Sequence, residues 1–267
     1  MVSIRQSRQQ SQITMSPTVT VHIPHASPSI PAEERPRLAI SNSDLRLELL
    51  RMTDWYTDEL FDLGPEASYV RFPVSRLIVD PERFADDDAE PMAARGMGAI
   101  YERTSDGRVL RPVLDAEERE RLLAAYYVPH HKALETAVQQ ALAQTGRALI
   151  IDAHSFPSSP LPCDLDQNPY RPDICIGTDS FHTPEWLRTA AMEAFRDAGW
   201  SVEQDRPYAG SIVPQCFHQR DGRVHSVMVE INRALCMDER TGDRLPRLGG
   251  VALEVSGVLK TLITAAH

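Results

Sequence analysis

The chain has 267 residues, with 28 lysines and arginines against 38 aspartates and glutamates, a net charge of −10. That balance argues against nucleic acid or an anionic membrane as the main partner, and no apolar run approaches the roughly 20 residues of a membrane span. The length is that of one large α/β domain with a sizeable core, and the four cysteines (Cys163, Cys175, Cys216 and Cys236) form no CxxC pair, which fits a reducing cytoplasm.

The first 16 residues are rich in Ser, Gln and Arg and lack the apolar stretch of a signal peptide, so they read as a disordered arm ahead of a single domain over 17–267. Thr18 to Ile23 alternates and is β-rich, a strand that Pro24 ends. His25 follows directly, held in a loop stiffened by Pro28 and Pro31, a placement that suits a metal ligand. His22 lies inside the strand and is expected to bond locally. Ser43-Asp44 is read as the cap of a helix reaching about Phe61, on which Asp54 and Asp58 share one face at i and i+4. Either acid is then a candidate third ligand.

Tyr69–Phe72 and Arg76–Val79 read as two short strands. Arg76 stands among apolar residues and needs an anion, either a carboxylate of the protein or one of the substrate. Residues 80–113 form a long excursion with a turn at Asp106-Gly107, and long ordered loops in compact domains tend to serve as lids or binding loops. Asp115 with Glu118 opens a helix that Pro129 interrupts and Gly146 stops. His130 and His131 flank the interruption and rank below His25 and His154 as ligands.

The most informative stretch is Ala148-Leu-Ile-Ile-Asp-Ala-His-Ser155, a buried strand running into polar residues. Ligands bind beyond the carboxyl ends of strands in open α/β sheets, and Asp152 and His154, two apart, point to one side. A histidine with a neighbouring acid there suggests a metal ligand and its supporting residue. Asp173–Gly177 is the next strand, Thr183-Pro184 starts a helix ending at Gly199, and Trp200–Gln204 is a further strand. Val224–Arg233 is the last strong strand, and Glu230 at the end of its apolar run is either paired with Arg233 or poised for proton transfer. A helix over 251–264 closes the chain. Strands separated by helices give a three-layer α/β/α sandwich around a central mixed sheet.

Taken in order, His22-Ile-Pro-His25-Ala-Ser with Ile30-Pro31, Thr53-Asp54-Trp-Tyr, Ser75-Arg76 with Asp80, Asp152-Ala-His154-Ser155, Pro172-Asp173 with Gly177-Thr178, and Glu230-Ile-Asn-Arg233 resemble the N-formylglutamate amidohydrolase family. The resemblance implies a phosphorylase/hydrolase-like fold of the zinc carboxypeptidase type and one Zn²⁺ per chain. It implies hydrolysis of N-formyl-L-glutamate to formate and L-glutamate, a step of histidine degradation. By the same resemblance zinc falls to His25, Asp54 and His154, the general base to Glu230, and the substrate side to Arg76, Arg233 and Ser155. Asp152 is then a supporting group behind the ligands. The family pattern continues after Asp80 with an Asn-Arg pair, whereas this chain reads Pro81-Glu82-Arg83. The implied partner is a small anionic N-acyl amino acid. Two other functions fit the same residues, a zinc carboxypeptidase or deacylase taking a peptide or larger acyl group, and a binding protein without turnover.

Overall fold

Strands that are apolar along their whole length need cover on both faces, and the sheet at the centre of this protein has it. The computed structural model describes residues 19–265, so the arm expected over the first 16 residues lies outside the described residues. Six strands, β1 (Val19–Ile23), β2 (Ala67–Arg71), β3 (Ala148–Phe156), β4 (Ile174–Gly177), β5 (Val202–Gln204) and β6 (Val224–Asn232), form one sheet in the order β2-β1-β3-β6-β4-β5. The first four in that order run parallel, while β4 and β5, parallel to each other, run against β6. The sheet is therefore mixed, as expected.

Alternation along the strands separates two functions. Val19, Val21 and Ile23, Leu149, Ile151 and Ala153, and Val227, Val229 and Ile231 join the main core with residues of α2 (Thr57–Leu60), α5 (Glu185–Asp197) and α6 (Leu248–Ala265). On the other face, Ile150 and Val224 meet Val138 and Ala141 of α4 (Val128–Thr145). Each such aliphatic side chain taken out of water contributes about 1.5–3 kcal/mol. Toward the carboxyl ends of the strands this second face changes character. The residues in register there are His22, Asp152, His154 and Glu230, all buried.

The expected long helix over 43–61 is broken. Ser41, not Ser43, caps α1 (Asn42–Met52), accepting the amide of Asp44. The chain then turns extended at Thr53 and left-handed at Tyr56 (φ 66°) before the single turn of α2. The amide of Asp54 leaves the helix to donate to the carbonyl of His25 at 3.0 Å. Asp54 and Asp58 therefore share no helix face: Asp54 is buried and Asp58 exposed.

Arg76–Val79 forms no strand. It is a turn in which Leu77, Ile78 and Val79 are fully buried within a second core that also holds Leu38, Leu45, Phe72, Ile100, Tyr101 and Leu110. An apolar run of this length does not by itself distinguish a strand from a buried turn. The excursion over 80–113 thus rests on its own core, and its expected turn carries a single bridge between Arg103 and Val109 around Gly107 (φ 83°). Asp115 caps α3 (Ala116–Leu122) through the amide of Glu118, as expected. Before Pro129 the helix widens to a π turn over Leu123–Tyr127, with the Val128 amide reaching back to the Leu123 carbonyl. A proline ring obstructs the carbonyl four residues earlier, and the wider turn accommodates it.

Candidate metal centre

Two histidines from different strands are held with one ring nitrogen each directed at the same point. His25, just past β1, donates from Nε2 to Asp80 Oδ1 at 2.8 Å, which leaves Nδ1 as the bare nitrogen. That Nδ1 is buried and has no hydrogen-bond partner. His154 on β3 donates from Nδ1 to Asp54 Oδ2 at 2.9 Å and turns Nε2 inward. The carboxylate that meets both is Glu82, whose Oε2 lies 3.2 Å from His154 Nε2 and 3.7 Å from His25 Nδ1. The ligand atoms of His25, Glu82 and His154 lie within 4.8 Å of one another, a donor set suited to a divalent cation.

Charge tests whether a cation fits. Burial alone favours loss of a proton from His25, yet Asp80 and Asp54 outweigh it and raise the pKa. Burial acts the same way on His154, where Glu82, Asp152 and Asp54 lift the pKa well above the imidazole range. Burial also opposes ionisation of Asp54, and the hydrogen bond from His154 with the nearby His25 and Arg233 still holds it well below the usual carboxylate range. The surroundings of His25 Nδ1 and of His154 Nε2, the latter 3.2 Å from Asp152 Oδ1, therefore favour positive charge, which a divalent cation provides.

Asp54, expected as the third ligand, is occupied differently. Besides His154 it accepts from Arg233 Nη2 at 3.0 Å through Oδ1, so both oxygens are engaged by protein groups. Arg233 in turn donates to the carbonyls of Ser155 and Arg51, which leaves one Nη1 hydrogen of its fork, and no hydrogen bond joins it to Glu230 among the described residues. Ser155 uses its hydroxyl on the Trp55 carbonyl at 3.1 Å. Arg76 finds its anion within the protein: Nε and Nη2 both bond Asp80 Oδ2, and Tyr101 donates to the same oxygen at 2.6 Å.

Glu230 behaves unlike the other acids. Its pKa is pushed up to about 8, first by burial and then by Asp54 and Glu82, against the pull of His154 and Arg233. Its Oε2 is buried without a partner. Paired with His154 in the β3–β6 register, it lines the same cavity as His25, Glu82 and His154.

That cavity has a volume of about 610 Å³, the scale of a small-molecule site. Arg83, passed over in the sequence, also lines it, with a buried Nε that makes no hydrogen bond and lies 3.7 Å from Asp80 Oδ2. Glu82 was likewise passed over as a ligand. It sits in the acidic excursion rather than at a strand end, and only the fold of that excursion brings it over His25. Asp152 is where the sequence placed it, beside His154 at 3.2 Å, but it also bonds His22 at 2.8 Å.

The sequence matches the family described as N-formylglutamate amidohydrolase over residues 17–237. It is 31% identical over 196 residues to the N-formylglutamate deformylase of Pseudomonas aeruginosa, covering 70% of this chain and 72% of that protein. The Pseudomonas putida enzyme of the same name is 28% identical over 198 residues, covering 70% and 71%. In fold the chain is similar to the crystal structure of N-formylglutamate amidohydrolase from Ralstonia eutropha JMP134, with a TM-score of 0.78 at 22% identity over 94% of each chain. A crystal structure of an Agrobacterium tumefaciens gene product gives 0.66 at 20% identity, covering 94% and 91%.

Proposed function

Because this chain belongs to the N-formylglutamate amidohydrolase family, we propose that it is a metal-dependent hydrolase of the N-formyl amide of N-formyl-L-glutamate, releasing formate and L-glutamate. The observation that carries the reading is a pair of buried, unpartnered atoms on one cavity, the ligand nitrogen Nδ1 of His25 and the carboxyl oxygen Oε2 of Glu230. His25 Nδ1, His154 Nε2 and Glu82 would hold the cation, with zinc the fit for two imidazoles and a carboxylate. When bound, the cation supplies Lewis acidity toward the formyl carbonyl and toward water.

The remaining steps belong to side chains of this protein. Glu230, with its pKa lifted close to neutral, takes a proton from the attacking water and returns it to the leaving amine nitrogen as the C–N bond breaks. Asp80 and Asp54 fix the tautomer and tilt of His25 and His154, so Asp54 acts through His154 and Glu82 takes the ligand place first expected of Asp54. Arg233 keeps Asp54 in position, and Ser155 serves as part of that frame. Arg83, whose Nε makes no hydrogen bond and lies 3.7 Å from Asp80, and Arg76, whose Nη1 lies 3.9 Å from Asp54, are the cationic groups on the cavity for the substrate carboxylates.

The test is hydrolysis by metal-reconstituted protein of N-formyl-L-glutamate, N-acetyl-L-glutamate, an N-formyl neutral amino acid and a short peptide. Formate release confined to N-formyl-L-glutamate supports the proposal. Preference for the peptide or the acetyl compound replaces it with a carboxypeptidase or a wider deacylase.

A further inference from the structure

The metal site described above uses one oxygen of Glu82. The other, Oε1, lies 3.7 Å from His22 Nδ1. His22 is fully buried on β1, and its Nδ1 lies 2.8 Å from Asp152 Oδ1. His22, Glu82 and Asp152 thus make a second group whose ligand atoms all lie within 4.8 Å of one another, distinct from the first and sharing only Glu82 with it. His22 and Asp152 are also fixed from behind. His22 Nε2 is tied to His130 Nε2 at 2.8 Å, and Asp152 Oδ2 accepts the amide of Ile212 at 2.9 Å. These bonds leave His22 Nδ1 and Asp152 Oδ1 as the inward atoms.

We infer that the protein binds two divalent cations, the second held by His22 Nδ1, Asp152 Oδ1 and Glu82 Oε1, with the Glu82 carboxylate bridging the pair. A carboxylate with one oxygen on each cation is a natural bridge at the roughly 3.5–4 Å separation of two-metal hydrolytic sites. The donor set is one imidazole and two carboxylates, harder than the first, and it suits Mn²⁺ or Zn²⁺. The second cation would neutralise Asp152, which otherwise has only imidazoles and one amide facing it. His130 Nε2, 2.8 Å from His22 Nε2, can accept a hydrogen bond from it when Nδ1 binds a cation. The inference rests on the proposed metal chemistry, and the test separates the two.

Chelator-treated protein would be equilibrated with excess Mn²⁺, freed of unbound ion, and assayed for manganese per chain and by electron paramagnetic resonance. The expected result is two ions per chain with the multiline spectrum of a coupled pair, falling to one ion and an uncoupled six-line spectrum in Asp152→Asn and in His22→Gln. Asp152→Asn keeps the shape and the acceptor for Ile212, so it guards against loss of fold in the strand histidine variant. One ion per chain in the unaltered protein, or two without coupling, overturns the bridged pair while leaving the hydrolase reading intact. No bound ion at all overturns both.

Discussion

Burial of Glu230 sets a measurable pH dependence in the metal-free protein. Its carboxyl lies at about 8 in the folded chain against 4.5 for an ordinary glutamate, a rise of 3.5 (8 − 4.5). At about 1.36 kcal/mol per unit the ceiling is about 5 kcal/mol. The cavity admits water, which softens the desolvation, and we expect about 2–3 kcal/mol in practice. The sign follows from the direction of the shift. A carboxyl with a raised folded pKa contributes stability that is complete below pH 4.5 and lost as pH rises through about 8. Glu230→Gln has no such proton to lose. Urea unfolding of chelator-treated protein between about pH 5 and about pH 8.5 should therefore show the variant gaining about 2–3 kcal/mol on the unaltered protein as pH rises. On the metal-loaded variant kcat should fall by roughly two to four orders of magnitude with metal content retained. A stability gap that is flat across this range would mean that the folded protein compensates the Glu230 charge, and the argument from burial would fail.

Other variants test the remaining assignments. Asp54→Asn strands the buried Arg233 charge, so it should cost about 3–5 kcal/mol of stability and weaken metal binding by roughly 10–100-fold, read by unfolding and by metal titration. Glu82→Gln should abolish tight metal binding while leaving the melting temperature of metal-free protein within a few degrees, because its carboxylate faces only site histidines. Arg83→Ala should raise KM for an acidic substrate roughly 10-fold or more and leave a neutral analogue little changed, since one charged hydrogen bond is worth about 1.5–3 kcal/mol. Arg76→Ala should also lower stability, by about 1.5–3 kcal/mol, because it removes the charged hydrogen bonds to buried Asp80, which keeps those from His25 and Tyr101.

The sheet-borne half of the site was legible because a strand places residues two apart on one face. Ala148–Ser155 announced both its burial and the shared direction of Asp152 and His154, and the apolar run ahead of Glu230 did the same for β6. The mixed sheet was expected from hairpin-like pieces that interrupt the alternation of strands and helices, whereas its antiparallel pairing is that of β4 with β6. The excursion-borne half was not legible. No periodicity marks Asp80, Glu82 or Arg83, and their positions depend on a separate core under Leu77, Tyr101 and Leu110. The helix drawn through Thr53 and Tyr56 left Asp54 and Asp58 both open as ligands, and the family resemblance assigned Asp54 to the metal. The break there depends on tertiary bonds, the Asp54 amide to His25 and the Trp55 indole to the Leu50 carbonyl, which local propensity does not contain.

The separation of β1 from β3 along the chain also bears on how the protein is made. His22 and Asp152 are neighbours in the sheet yet stand 130 positions apart in sequence. During synthesis β1 can take β2 as one neighbour early, but its other edge stays open until β3 leaves the ribosome. In that interval the second core over Leu38 to Leu110 has all the residues it needs to close by itself. Contacts so distant in sequence slow the folding of a sheet and leave apolar edges exposed meanwhile. Folding yield at high expression should accordingly depend more on how fast β3 docks than on the final stability of the finished domain.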